Sequence, residues 1–87
     1  IYGSQIDLLI VRKDQVINLC EMKYSSSEYT INAKTDEDIR KKINDLRTLT
    51  NTKYAIFPTL ITTYGLNQNE YALNIQDVIT LKDLFLS

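Results

Sequence analysis

Apolar residues crowd the first part of this chain in two runs separated by a charged gap. Residues 4–11, Ser-Gln-Ile-Asp-Leu-Leu-Ile-Val, carry several β-branched side chains and one acid, Asp7, a pattern that predicts a buried strand. The charged residues 12–15 supply a turn, and residues 16–24, Val-Ile-Asn-Leu-Cys-Glu-Met-Lys-Tyr, predict a second strand that pairs with the first as a hairpin. Apolar spacing then changes to that of a helix over residues 36–49, with Ile39, Ile43, Leu46 and Leu49 on one stripe. Thr35 is the expected N-cap, with Asp38 three residues later and Asp36 and Glu37 in the first turn. Residues 53–64 read as a strand broken or bulged at Pro58. Residues 71–79 read as a further strand, and Thr80 caps a short helix over residues 81–85. The expected order is β-β-α-β-β-α.

Composition narrows the chemistry. With 87 residues, 44% hydrophobic and 24% charged, the chain suits one small domain and carries no low-complexity tract. It has no histidine and a single cysteine, Cys20, which removes Ser/His/Asp triads, Cys/His pairs, internal disulfides and conventional zinc sites. A formal net charge of -1 argues against binding nucleic acid through a broad basic surface, though not against a local patch. No apolar run approaches the roughly 18 residues needed to span a bilayer, and no signal peptide is evident, so a cytoplasmic location without membrane contact is expected. Because the chain enters a strand pattern directly after Ile1, it is expected to be a piece of a longer protein.

Carboxylate and lysine chemistry therefore remains. Residues two apart in a strand share a face, so Glu21 and Lys23 project together. A hairpin centred on Asp14 sets Asp7 opposite Glu21. Two facing acids on an apolar sheet are costly unless something neutralises them, and a divalent cation such as Mg²⁺ or Mn²⁺ does so while leaving water sites open for a phosphate and a nucleophile. Lys23 then stands where it can orient that water or stabilise charge on the phosphate.

Asp7 followed by Glu21-Met22-Lys23 on adjacent strands resembles the D…(D/E)XK signature of PD-(D/E)XK, or restriction-endonuclease-like, nucleases. Residues 3–10, 17–24 and 60–66 further resemble the C-terminal nuclease-like domain attached to a family of bacterial AAA-type ATPases. The resemblance implies an α/β fold with a mixed central sheet flanked by helices, in which residues 1–87 form the C-terminal part of the domain, lacking its first helix and strand. It implies metal-dependent hydrolysis of DNA with Asp7 and Glu21 as metal ligands and Lys23 as their catalytic partner, and an ATPase domain upstream as a partner. The residue before Asp7 is Ile6 rather than Pro, and no phosphate-binding Gly-x-x-x-x-Gly-Lys loop is present, so ATP hydrolysis would belong to another part of the parent chain.

Gln5, on the face of Asp7, and the Arg40, Lys41, Lys42 and Arg47 group on the helix are candidate contacts to the DNA backbone; solvated surface positions are the plainer alternative. The missing elements would expose apolar sheet, so a homodimer is expected. A competing expectation is a catalytically degenerate docking or regulatory module, which an Asp7/Glu21 site filled by a salt bridge from Arg or by packed side chains would favour over a bound metal.

Overall fold

The charged gap at residues 12–15 becomes the turn of a hairpin between β1 (Leu8–Val11) and β2 (Val16–Lys23) in the computed structural model, which describes residues 5–86. The backbone N–H of Arg12 donates to the Val16 carbonyl at 2.8 Å, and Gln15 takes a left-handed conformation with φ 65°. The register pairs Leu8 with Cys20 and Val11 with Ile17, which centres the turn on Asp14 as expected. A helix, α1 (Ala33–Thr50), connects β2 to β3 (Ala55–Thr62), and a 3-10 turn at Ala72–Asn74 precedes β4 (Asp77–Thr80) and the short α2 (Leu81–Leu86). The four strands lie in the order β1-β2-β3-β4, antiparallel at the first pairing and parallel at the other two. The chain is thus a small mixed α/β fold, with the expected element order.

Three boundaries differ most from the sequence expectations. The first strand starts at Leu8, so Gln5, Ile6 and Asp7 precede it; its expected start at Ser4 lies outside the described residues. Continued register would pair Met22 with Ile6, but the Met22 N–H is taken by the Asp7 carboxylate at 2.9 Å, and this side-chain bond ends the ladder. Helix α1 starts at Ala33 and its N-cap is Asn32, not Thr35: the Asn32 side chain accepts from the Thr35 N–H at 2.9 Å. The expected strand over residues 71–79 shrinks to four residues, because Asn69 accepts from the N–H groups of Tyr71 and Ala72 and turns the backbone into the 3-10 segment.

β3 is continuous through Pro58. The Pro58 carbonyl accepts from Gln76 N–H at 2.9 Å, on the side where β4 will pair, and β4 begins its ladder only at Thr59. The N–H and C=O of a strand residue point to the same side, so the donor that proline lacks would have faced a position where no ladder bond is yet required.

Two apolar clusters hold α1 and the loops against one face of the sheet. Ile17, Leu19 and Ile56 pack with Leu46, flanked by Ile6 and Ile43. Ile31, Leu60, Leu66 and Ala72 pack together near the carboxyl ends of β2 and β3, flanked by Tyr29, Tyr71 and Ile75. Of the expected helical stripe, Ile39 and Leu46 are buried and Ile43 is half-buried, while Leu49 is exposed. Asn51 ends the helix in the left-handed conformation at φ 51°, its N–H bonded to the Arg47 carbonyl.

Candidate functional site

β2 begins as a fully apolar face and ends as a charged one. Ile17 and Leu19 pack under α1; the next residues on that face are Glu21 and Lys23. Register places Glu21 beside Leu60, so its carboxylate stands at the junction of the two apolar clusters. Only 8% of its side chain remains accessible. A carboxylate withdrawn from water this far requires a charged partner or several donors.

That partner comes from α1. The Lys42 ammonium donates to both carboxylate oxygens of Glu21, at 2.7 Å to Oε1 and 2.9 Å to Oε2, and its own side chain is only 14% accessible. Lys23 stands 3.9 Å from Oε1 and is about one-third exposed, free enough to face an arriving molecule. The buried carboxylate therefore lies between two ammonium groups, one enclosed and one near the surface.

Asp7 meets this group from the hairpin partner. Asp7 precedes the first paired residue of β1, Leu8, and its Oδ2 accepts from the Met22 N–H immediately after Glu21. Asp7 is exposed. At the carboxyl end of β2, Glu21 and Lys23 share a face, and the Asp7 carboxylate is tied to the Met22 N–H between them.

The other proposed substrate contacts lie elsewhere. Gln5 is exposed just before β1. Arg40 pairs with Asp36 at 2.9 Å, and Arg47 donates to the Thr52 and Tyr54 carbonyls at 3.2 and 3.3 Å, bracing the chain that leaves α1. Helix geometry separates both from the site: Arg40 is two residues from Lys42, about 200° around the axis, and Arg47 is five residues away, about 140°. When Lys42 faces Glu21, the two arginines face away from it.

The two acids satisfy part of what Mg²⁺ asks of a protein, which is usually one or two carboxylates with water and substrate oxygens completing the shell. Among the described residues no three His, Cys, Asp or Glu side chains gather as a ready-made ligand set. Asp7 retains an oxygen beyond the one bonded to Met22, whereas both Glu21 oxygens accept from Lys42. The donor chemistry fits a divalent ion held by two carboxylates, provided that Lys42 gives way.

Lys42, expected from sequence as a possible DNA-backbone contact, is turned instead onto Glu21, a role that sequence reasoning missed. Its signal is visible in the helical spacing: it lies three residues after Ile39 and four before Leu46, both buried, and so sits on the packed stripe. On the opposite face of the sheet, Asn18 donates to Thr59 Oγ1 at 2.9 Å and to Asp77 Oδ2 at 3.1 Å, tying β2, β3 and β4 together. Cys20 is buried beside this bridge, and burial, followed by the negative charge of Asp77, pushes its thiol pKa up. That face is structural, and its thiol is in its unreactive form at neutral pH.

No family model, curated protein or solved structure matches this chain. Among the described residues no helix is long and apolar enough to cross a membrane.

Proposed function

We propose that the chain is a divalent-metal-dependent DNA phosphodiesterase module of the PD-(D/E)XK type, working in the cytoplasm beside an ATPase domain of its parent chain. The observation that carries this reading is the enclosed Glu21 carboxylate, with Lys23 3.9 Å away on the same strand face and the Asp7 carboxylate bonded to the Met22 N–H that follows Glu21. Asp7 and Glu21 would hold the metal, Mg²⁺ or Mn²⁺. When bound, it would polarise a phosphate oxygen and acidify a water. Lys23, near the surface, is positioned to orient the attacking water and to neutralise charge gathering on the phosphate. The apolar clusters on either side of Glu21 keep water from screening these charges.

The test is incubation of the chain with linear, circular and branched DNA in Mg²⁺ or Mn²⁺, beside Asp7→Asn, Glu21→Gln and Lys23→Met. Wild-type protein should nick or cut DNA, and each substitution should slow this by about a hundredfold or more. Thermal melting supplies a second readout. Metal at about 100 times its dissociation constant stabilises the folded state by about 2.7 kcal/mol, which raises the midpoint by on the order of 10 °C in a domain this small. Asp7→Asn and Glu21→Gln should lose that rise.

A second reading is favoured by one observation, the closed pair between Lys42 and both oxygens of Glu21. In this reading the pair is a permanent structural bond, and the domain is a docking or regulatory module without cleavage. A wild-type protein that cuts no DNA and whose melting ignores millimolar Mn²⁺ would establish it over the first.

A further inference from the structure

Charge balance at the site is already complete without a metal. Glu21 and Asp7 contribute two negative charges and Lys42 and Lys23 two positive ones, a sum of zero. Adding a divalent cation beside Glu21 while the Lys42 ammonium stays 2.7 Å from the same carboxylate would leave an excess of two positive charges in a partly buried space. Both Glu21 oxygens are also sterically covered by that ammonium.

Resting on the metal-site reading above, we propose that Lys42 is an exchangeable counter-ion, whose ammonium closes the Glu21 site and must leave the carboxylate before a divalent cation can bind. The side chain is suited to this. Lysine has a long flexible stem and a compact charge, so it can withdraw its head toward water while its methylenes remain packed on the helix stripe between Ile39 and Leu46. Lys23, one-third exposed and 3.9 Å from Oε1, need not move. The site therefore has a closed form, with Lys42 on Glu21, and an open form, with Lys42 withdrawn. The apparent metal affinity is the intrinsic affinity reduced by the fraction in the open form. The closed pair holds the site shut at low metal concentration and also protects the fold from an unpaired buried carboxylate.

The experiment is calorimetric titration of the 87-residue chain with Mn²⁺, as wild type and as Lys42→Met. Lys41→Met is the control, since it removes the same charge one residue along, where Lys41 pairs with Asp45. Lys42→Met should bind Mn²⁺ about tenfold more tightly than wild type, and Lys41→Met should match wild type. Because Lys42→Met strands Glu21 and could fail to fold, a second measurement uses wild-type protein alone. Brief acylation by a lysine-selective reagent, read by mass spectrometry, should modify Lys42 several times faster with Mn²⁺ than with EDTA, and this acceleration should vanish in Glu21→Gln. Equal Mn²⁺ affinity in wild type and Lys42→Met, or Mn²⁺-independent acylation of Lys42 in a protein that binds Mn²⁺, would overturn the counter-ion role and leave the metal site standing. Failure of every variant to bind Mn²⁺ would remove the metal site itself and the exchange with it.

Discussion

At Cys20, burial and the nearby Asp77 act in the same direction: both disfavour the thiolate and raise the pKa above 9.0. A group whose folded pKa is raised contributes stability that is fully present below its unfolded pKa and lost as pH climbs through the folded one. For Cys20 the loss begins near pH 9.0, where the thiol of the unfolded chain ionises first. Its slope is at most about 1.4 kcal/mol per pH unit. Urea denaturation of wild type and Cys20→Ala from pH 7 to 10.5 should show the wild type losing stability faster than the variant above pH 9, with parallel curves below it. Parallel curves throughout would mean that the thiol is not protected. The residue scale is also where the site was most legible. Alternation along β2 and the Asp14-centred turn depend only on local geometry, so the shared face of Glu21 and Lys23 and the register of the hairpin could be placed from spacing. The pairing of Lys42 with Glu21 escaped because a lysine among other basic residues on a helix reads as a surface charge, and only the burial of Glu21 shows why a charge belongs inward there.

At the scale of elements, the start of α1 turned on a competition between two caps. Thr35 has an acid three residues on and looks like half of a capping box, whereas Asn32 has only Thr35 at that distance. The structure uses Asn32, because Ala33 and Lys34 are good helix formers and extend the helix by a turn toward the loop containing Ile31. Asn32→Ala should therefore lower stability by about 1 kcal/mol, and Thr35→Ala by much less, since the Thr35 hydroxyl makes only a 3.4 Å contact with Tyr29. Chemical denaturation midpoints at equal cooperativity decide between them; a larger loss at Thr35 would return the cap to that residue. The strand through Pro58 and the 3-10 segment at Ala72–Asn74 were illegible for a related reason. Whether a proline interrupts a sheet depends on where the neighbouring strand begins, and whether an aromatic, branched segment extends depends on an Asn three residues away that competes for its N–H groups.

At the scale of the whole molecule, the β1 edge of the sheet is open. At the other edge, β4 is followed directly by α2. β1 pairs only with β2 on the other side, and its residues Leu8, Leu9, Ile10 and Val11 are all exposed, Val11 to 67%. The charges that would discourage edge pairing, on Arg12, Lys13 and Asp14, sit in the turn and not in the strand. The open backbone edge and the apolar side chains on both sheet faces favour the same neighbour, a second β1 running antiparallel, which would join two sheets of four strands around a twofold axis. Four residues make a short seam, well below the area of a standard protein interface, so the association should be weak and dependent on concentration. Sedimentation velocity from about 10 μM to 1 mM should show the average mass rising toward that of a dimer, spanning the weak end of the affinity range. Ile10→Glu should abolish the rise, because the two copies would bring carboxylates close together at the seam, while leaving the melting midpoint close to wild type because Ile10 is already exposed. A constant monomer mass across that range, or a dimer untouched by Ile10→Glu, would show that the β1 edge is not where copies meet.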